Sequence, residues 1–260
     1  MKAAAFGYSR PEGLAAALAA LGEDGARPLA GGQSLGPMLN LRLARPASVV
    51  DIRRSPELRG AREEGDTVVW GAATTHAEVE DGLVPDPTGG ALRAVAARIA
   101  YRAVRNRGTV GGSLCHADPA ADWPSALALV GAEATIAGPA GRRAAPVAGF
   151  LRGPFEPALD AGEVLVEVRV PRPPPGTRFG WRKTVRKTGE FAQAIAGLRH
   201  APDGGLRVVL GAIEAPPLVF EGPAARGAAE AAIEGLSHLP PARRAALRAM
   251  LDRAAAEAGA

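Results

Sequence analysis

The sequence predicts an α+β protein, and three observations lead to this prediction. Helix-like and strand-like segments follow one another through the first two thirds of the chain, where apolar residues recur at helical spacing or gather in β-branched runs. A proline-rich segment comes next. Strand-like runs and then alanine-rich, helix-like sequence follow it. The 260 residues are enough for two or three small domains or one large one, each with a buried core.

Composition and charge narrow the classes of function. Hydrophobic residues make up 47% of the chain, which indicates a folded protein. The net charge of +4 would suit nucleic acid, but acidic residues are interspersed among the basic ones and no aromatic signature of RNA binding occurs. We therefore predict no nucleic-acid partner. Arginine supplies nearly all of the positive charge, because lysine occurs only at positions 2, 183 and 187.

The single cysteine, Cys115, excludes an internal disulfide, a zinc site made of thiolates and an iron–sulfur cluster held by this chain alone. We expect it to be a small buried hydrophobic residue rather than a reactive thiol. The sequence opens without a leader-like segment, and no apolar run approaches the roughly 20 residues that a transmembrane helix needs. A cytoplasmic protein with no transmembrane segment is the expectation.

The first predicted element is a helix in SRPEGLAAALAALG. Ser9 and Glu12 have the spacing of a capping box, the apolar residues that follow recur at helical intervals, and Gly22 is suited to end the helix. The segments ASVVDI and TVVWGA are rich in β-branched residues and predict strands. Next, GGALRAVAARIAYRAVRNR predicts one amphipathic helix, with apolar residues on one face and arginines on another.

Two further strands are predicted in EATIAG and EVLVEVRVP, the second with Val164, Val166, Val168 and Val170 on one face. The segment PRPPPG, residues 171–176, is stiff and cannot continue a sheet, so it predicts a domain boundary. Beyond this boundary, FAQAIAGLR and LRVVLGAI predict strands, and the alanine-rich remainder predicts helices.

Two glycine segments are the strongest candidates for a binding site: AGGQS at 30–34 and TVGGS at 109–113. Each places two glycines beside a small hydroxyl residue, so that consecutive backbone N–H groups can converge on an anion with no side chain in the way. Two such segments could clasp one pyrophosphate from both sides; the alternative for either one alone is a tight turn. A Rossmann fingerprint is excluded because no two glycines are separated by a single residue, and a P-loop because no Gly-Lys dipeptide occurs.

A helix is predicted to start directly after the second glycine segment. Asp118 followed by Pro119 is typical of a helix start, with the aspartate as the N-cap. Asp122 then lies one turn on and faces the same side. Capping alone explains Asp118, whereas Asp122 is a surplus carboxylate that could accept a hydrogen bond from a sugar hydroxyl of a ligand.

The segments AGGQSLGPMLNLRLARPASVVDI and VRNRGTVGGSLCHADPAADWPSALALVGAEATI closely resemble the FAD-binding medium subunit of molybdenum hydroxylases, a family that includes the FAD domain of xanthine dehydrogenase. Within that family, the chain looks most like the aerobic carbon monoxide dehydrogenase type. The resemblance extends over almost the whole chain, including WGAATTHAEV, FEPALDAGEVLVEVRVP and WRKTVRKTGEFAQA in the family's order.

This resemblance implies the fold of p-cresol methylhydroxylase-type flavoproteins, in which two α/β subdomains share the FAD. A C-terminal domain of sheet and helices completes the subunit. The expected domains are an N-terminal FAD-binding subdomain at 1–56, a second FAD-binding subdomain at 57–171 and the C-terminal domain at 172–260.

The resemblance also assigns the cofactor site. The two glycine segments would hold the FAD diphosphate, Asp122 would lie near ribityl or ribose hydroxyls, and Leu165 would lie near the flavin ring. Lys183 would reach the polar edge of the ring, where a cation stabilises negative charge, and Phe191 would cover one flavin face. From the residues alone, a surface charge for Lys183 and core packing for Phe191 stay open. The expected FAD-binding residues are Ala30, Gly31, Gly32, Gln33, Ser34, Leu35, Thr109, Val110, Gly111, Gly112, Ser113, Asp122, Leu165, Lys183 and Phe191.

The implied function is electron transfer in an oxidoreductase complex, with no catalytic residue or metal site in this chain. In the family, a large molybdenum–pterin subunit hydroxylates the substrate, a small subunit with two 2Fe-2S clusters conducts electrons, and FAD delivers them to quinone, NAD or oxygen. The expected assembly is a dimer of such heterotrimers. His116 belongs to the family pattern, and no chemical step is assigned to it. The alternatives are a stand-alone FAD-dependent reductase or oxidase on the same fold, and a flavin-free scaffold subunit.

Overall fold

The computed structural model describes residues 2–260 and begins with a small parallel sheet. Its three strands have the order β1-β3-β2, so the last strand in sequence lies in the centre. Two helices connect them, and α1 packs its apolar face on the sheet. The elements of this first unit are β1 (Gly7–Ser9), α1 (Leu14–Leu21), β2 (Ala26–Leu29), α2 (Leu35–Asn40) and β3 (Ser48–Asp51).

The predicted capping box at the start of α1 is wrong. Ser9 is the last residue of β1 and therefore has no freedom to cap a helix. The helix begins at Leu14, after Gly13, and the backbone N–H of Leu14 donates to a carboxylate oxygen of Glu57 at 3.2 Å. A side chain distant in sequence thus replaces the predicted local cap.

The second unit is a five-stranded antiparallel sheet with the strand order β4-β5-β10-β6-β7. The predicted strands in TVVWGA, EATIAG and EVLVEVRVP are all present in it. A two-stranded hairpin follows β7. The strands are β4 (Ala61–Glu64), β5 (Thr67–Gly71), β6 (Glu133–Gly138), β7 (Gly141–Pro146), β8 (Leu151–Gly153), β9 (Glu156–Pro157) and β10 (Val164–Pro171).

Strand β10 does not keep its four valines on one face. Its pairing with β6 shifts register between Leu165 and Glu167, which is a β-bulge. Val164 and Val166 therefore pack with the first unit, whereas Val168 and Val170 belong to the core of the second unit. The prediction of a single valine face assumed unbroken alternation and is wrong at the bulge.

Short helices occupy the stretch between β5 and β6. They are α3 (His76–Glu80), α4 (Ala91–Ala96), α5 (Arg102–Arg105), α6 (Val110–His116) and α7 (Asp122–Val130). The predicted single helix through residues 89–107 is wrong, because it is broken between α4 and α5. Ala100 has a left-handed φ of 43°, and the carbonyls of Ile99 and Ala100 accept hydrogen bonds from the guanidinium of Arg105 instead of from helix N–H groups.

Helix α7 begins later than predicted. Asp118 caps a turn, with its carboxylate accepting from the N–H of Ala120 at 2.9 Å, and the helix starts at Asp122 after Ala121. Asp122 is therefore the first residue of the helix and not a residue one turn inside it. Every residue of α7 is buried, because the helix packs against α6 on one side and against the third sheet on the other.

The third unit is a four-stranded antiparallel sheet in sequential order, covered on one face by two helices. The predicted strands and alanine-rich helices are present, but the strand predicted in FAQAIAGLR starts only at Ala194, and β11 was not predicted. The division into three domains stays a prediction. No helix within residues 2–260 is long and apolar enough to cross a membrane. The elements are β11 (Arg178–Thr184), β12 (Ala194–His200), β13 (Leu206–Gly211), β14 (Leu218–Glu221), α8 (Ala225–Gly235) and α9 (Pro241–Ala258).

Asp51, at the end of β3, connects this strand to β1 through a hydrogen bond with Tyr8. Its carboxylate is fully buried, accepts from the Tyr8 hydroxyl at 2.8 Å and pairs with Arg53 at 2.7 Å. Burial by itself would raise the pKa of Asp51, but the hydrogen bonds from Arg53 and Tyr8 lower it to about 2. The charged form is therefore stabilised by folding.

We expect Asp51→Asn to lower the free energy of unfolding near neutral pH by about 2 kcal/mol, from a pKa that folding lowers from 3.8 to about 2. A lowered carboxylate pKa stabilises the fold above the unfolded-state pKa, and this stabilisation is lost as the pH falls toward the folded-state value. The difference between the wild type and the variant should therefore shrink below about pH 4. Urea unfolding as a function of pH measures it, and a difference that stays constant with pH would contradict this account.

Candidate functional site

A cavity of about 790 Å³ lies where the three units meet. Its volume is within the usual range of cofactor pockets, roughly 300–1,000 Å³. The first unit contributes residues 25, 27–35, 38 and 43–46, the second unit contributes residues of α3, α6 and β10, and the connection between β11 and β12 contributes Gly189–Phe191. Both predicted glycine segments line it.

The first glycine segment presents free backbone donors to this cavity. Among the described residues, the N–H groups of residues 31–35 donate to no protein acceptor. Gly32 has a φ of 72°, a conformation that a side chain would strain, and the amide of Gln33 folds back onto the carbonyl of Gly31 at 3.2 Å. Consecutive unpaired N–H groups that line a cavity are a site for an anion.

The second glycine segment is the start of helix α6 rather than a free loop. Thr109 is its N-cap, with its hydroxyl accepting from the N–H of Gly112 at 3.0 Å. The N–H groups of Val110, Gly111 and Ser113 donate to backbone carbonyls. The expectation that this segment offers a row of free N–H groups is therefore wrong. It supplies side-chain hydroxyls and open space beside the first segment.

Gly31 lets the first segment touch the backbone of residues 107–108, which lie directly before the second segment. A Cβ atom at Gly31 would lie 2.1 Å from the carbonyl oxygen of Arg107 and 2.7 Å from the Cα of Gly108. A Cβ atom at Gly112 would lie 2.7 Å from the Thr109 hydroxyl and 3.8 Å from the Cβ of Ala30. A side chain at Gly31 would therefore separate the walls of the cavity, whereas one at Gly112 would collide with Thr109 of its own segment.

A buried ion pair lies at the start of α7. Lys183 Nζ is 2.8 Å from Asp122 Oδ2, and each side chain is 8% exposed. Burial raises the pKa of Asp122, although the charge of Lys183 opposes the rise. Lys183 also donates to the carbonyl of Arg98 at 2.9 Å. The second carboxylate oxygen of Asp122 is buried without a hydrogen-bond partner, and Asp122 lines the cavity.

His76 is a cavity residue that the sequence analysis missed. Its Nδ1 accepts a hydrogen bond from the indole N–H of buried Trp123 at 2.9 Å, and its ring packs against Gly108. Burial, reinforced by the charge of Arg105, lowers the pKa of His76 to about 4. The imidazole is therefore neutral near pH 7 and carries its proton on Nε2. Thr75, the residue before His76, forms a capping box with Glu78, and this local signal could have located the helix.

Most of the predicted FAD-binding residues line the cavity. All but two line the cavity: Val110 is buried in the core, and the amino group of Lys183 is engaged by Asp122 and Arg98. Cys115 and His116 also line the cavity. Burial raises the pKa of the Cys115 thiol to about 12, which supports the expectation of an unreactive residue. The residues on the cavity are Ala30, Gly31, Gly32, Gln33, Ser34, Leu35, Thr109, Gly111, Gly112, Ser113, Asp122, Leu165 and Phe191.

These features fit FAD. The free N–H groups of residues 31–35 suit a diphosphate, and the unpaired buried oxygen of Asp122 suits a sugar or ribityl hydroxyl. Leu165 and the half-exposed ring of Phe191 provide apolar surface for a flat ring system. One cavity thus joins the anion-binding, hydroxyl-binding and apolar features that a flavin dinucleotide requires.

Comparison with known proteins gives the class of this chain. Residues 4–173 match the family described as the FAD binding domain in molybdopterin dehydrogenase. The chain belongs to this family of FAD-binding oxidoreductase subunits, and the predicted family, fold class and cofactor are confirmed.

The individual relatives agree with this assignment. The chain is 46% identical to the carbon monoxide dehydrogenase medium chain of Hydrogenophaga pseudoflava over 195 residues, which are 73% of this chain and 67% of the relative. Carbon monoxide dehydrogenase from the same organism, in a form that lacks the Mo-pyranopterin moiety, has a similar structure. The TM-score is 0.92 at 36% identity, covering 100% of this chain and 99% of that one. Quinoline 2-oxidoreductase from Pseudomonas putida 86 gives 0.86 at 32% identity, covering 99% and 98%.

We expect Gly31→Ala to destabilise the protein by about 1–3 kcal/mol, as overpacking commonly does, because the added methyl group meets immobile backbone of residues 107–108. Gly36→Ala is the matched control, since a Cβ atom there has no neighbour within 4 Å. Thermal or urea unfolding of the two variants measures the difference. Equal stabilities would show that the two segments do not approach as described.

We expect Lys183→Met to cost about 3–5 kcal/mol near neutral pH, because it leaves the buried Asp122 carboxylate unpaired. The double variant with Asp122→Asn should recover part of this loss. The unpaired carboxyl would have a raised pKa in the folded state, so the defect should be smaller at low pH, where Asp122 is protonated in both states. Urea unfolding at neutral and acidic pH tests this, and a double variant no more stable than Lys183→Met would refute it.

Proposed function

We propose that this chain is the FAD-carrying electron-transfer subunit of a molybdenum hydroxylase complex. It would receive electrons from iron–sulfur clusters of a partner subunit and deliver them to an external acceptor. The observation that carries the proposal is the row of free N–H groups at residues 31–35 on a cavity of a chain that belongs to an FAD-binding family. FAD supplies redox chemistry that accepts electrons singly or in pairs.

The residues of the chain have separate tasks in this proposal. Residues 31–35 bind the diphosphate, while Thr109 and Ser113 line the opposite side and offer hydroxyl groups. The free oxygen of Asp122 accepts a ligand hydroxyl, and Lys183 orients Asp122 through their buried ion pair. We therefore revise the expected role of Lys183 from a contact with the ring to a positioning residue. Leu165 and Phe191 enclose the ring.

The partners follow from the chemistry that this chain lacks. A single cysteine cannot ligate the iron–sulfur clusters of such a relay, so they belong to another polypeptide. Similar proteins carry names such as medium chain, which supports a complex with a large molybdopterin subunit and a small iron–sulfur subunit. A dimer of heterotrimers stays our expectation for the assembly.

The hydroxylated substrate is a property of the complex rather than of this chain. Its similar structures carry names that refer to carbon monoxide and to quinoline, which are chemically unrelated. A subunit that binds FAD and conducts electrons has no need to contact either compound. We accordingly propose the reaction class and assign no substrate.

The test is the visible absorption spectrum of the complex affinity-purified through this chain from its host. We expect flavin bands superimposed on broad iron–sulfur absorption. Flavin bands without co-purifying subunits would instead show a stand-alone flavoenzyme. A preparation without flavin would refute the proposal and indicate a scaffold subunit.

Matched variants at residue 34 test the site itself. Ser34→Asp adds a negative charge to the proposed diphosphate segment and should weaken FAD binding roughly tenfold or more. Ser34→Asn has nearly the same size without the charge and should retain more flavin. The flavin content per chain measures both effects. Wild-type content in Ser34→Asp would show that this segment does not hold the diphosphate.

A further inference from the structure

The turn between α4 and α5, residues 98–101, is held by cationic side chains from two directions. Lys183 donates to the carbonyl of Arg98 at 2.9 Å. Arg105 donates to the carbonyls of Ile99 and Ala100 at 2.9 and 3.1 Å. These bonds stabilise the left-handed backbone of Ala100, which a residue other than glycine seldom adopts.

Arg105, which holds this turn, is itself held in place by an ion pair. Arg105 is only 12% exposed and forms a two-pronged ion pair with Glu80, at 2.7 and 3.0 Å. Ile99 and Ala100 line the cavity. The turn is thus a rigid part of the cavity wall, and it determines where the next side chain, that of Tyr101, points.

Tyr101 reaches from this turn to the connection between β11 and β12, here called the 185–193 loop. Its hydroxyl donates to the carbonyl of Thr188 at 2.6 Å. Its ring lies against Gly189, where a Cβ atom would be 2.4 Å from the ring and where φ is 90°. The ring and the loop backbone therefore touch directly, and glycine is needed for this contact.

The loop has few other attachments. Among the described residues, the bond from Tyr101 is the one hydrogen bond that joins residues 185–192 to another part of the protein. The end of the loop is attached separately, because Ala192 is buried in the core and Arg243 donates to the carbonyl of Gln193 at 3.1 Å. The bonds from Glu190 N–H to Lys187 and from Arg186 to Glu190 stay inside the loop. Gly189, Glu190 and Phe191 line the cavity, and Phe191 is 58% exposed. The exposed ring of Phe191 is not held by core packing, so its position depends on the loop backbone, which Ala192 fixes on one side and Tyr101 on the other.

We propose that Tyr101 is a positioning residue that holds the 185–193 loop, and with it Phe191, against the cavity. It thereby sets how far the bound flavin is open to the external electron acceptor. The second statement rests on the proposed function, because only a flavin in the cavity gives the position of Phe191 a role in electron transfer.

Tyr101→Phe removes the hydrogen bond and keeps the ring. In the purified complex, we expect hydrogen exchange at the N–H groups of Glu190 and Gln193, which bond within the loop and at its base, to become about three- to tenfold faster. Tyr8→Phe is the matched control, because it removes the other tyrosine hydroxyl, which bonds to Asp51 in the first unit. That control should leave exchange in the loop unchanged.

The second measurement is quenching of flavin fluorescence by acrylamide in the same samples. Tyr101→Phe should raise the quenching constant severalfold at unchanged flavin content, and Tyr8→Phe should not. A change in stability alone would not expose the flavin. Loop exchange and quenching equal to those of the wild type would overturn the proposal.

A double-mutant cycle tests the contact of the ring with Gly189. Gly189→Ala should speed exchange in the loop in the wild-type background, through both its positive φ and the collision with the ring. In a Tyr101→Ala background the collision is gone, so the added effect should be smaller; equal effects would overturn the contact. The hydrogen-exchange measurements do not require bound flavin. A wild-type complex without flavin would therefore refute the proposed function, but hydrogen exchange would still test whether Tyr101 holds the loop.

Discussion

The buried pair of Asp122 and Lys183 is the interaction on which the arrangement of the cavity depends. It joins the first residue of α7, a helix buried along its whole length, to β11 of the third sheet. Lys183 extends the connection to the turn at Arg98. Removing two charges from water is costly, and an apolar pair of similar size would stabilise a core at least as well. The ion pair instead orients the carboxylate of Asp122. Lys183 occupies one oxygen, and the other oxygen is available to a ligand.

The two glycine segments resemble each other in sequence but have different structural roles. The first keeps its N–H groups free and bends through a positive φ at Gly32. The N–H groups of the second segment donate hydrogen bonds within the first turn of α6 and to the carbonyls of Ala72 and Thr74. It is therefore a rigid wall, and Gly31 of the first segment packs against residues 107–108 directly before it. A site of this kind combines one anion-binding surface with one surface that fixes its shape.

Local signals in the sequence were enough to predict much of the fold and one half of the site. The β-branched runs became strands, and the glycine segments came together at one cavity. The errors occurred where distant residues decide the structure. The cap of α1 comes from Glu57, and Ala100 is stabilised by Arg105 in the following helix, so neither the late start of α1 nor the broken helix follows from periodicity.

Distance in sequence also explains what was missed in the site. Asp122 and Lys183 are 61 residues apart, and His76 and Trp123 are 47 apart. The family resemblance assigned Lys183 to the flavin ring, the residues around it in sequence gave no sign of Asp122 as its partner, and no local signal gave His76 a role. Only the topology that packs α7 between α6 and the third sheet brings these partners together. The bulge in β10 could not be predicted for the same reason, because it arises from the pairing with β6 and not from the valine pattern.

The environment of Cys115 has a consequence for chemistry beside a redox cofactor. Burial raises the pKa of the Cys115 thiol to about 12, so the thiolate is a minor species near pH 7. Peroxides and disulfides react with the thiolate, so this sulfur is a slow target for the oxidants that reduced flavins can generate from oxygen. The wall of the cavity can therefore include a half-buried sulfur atom that reacts slowly with such oxidants.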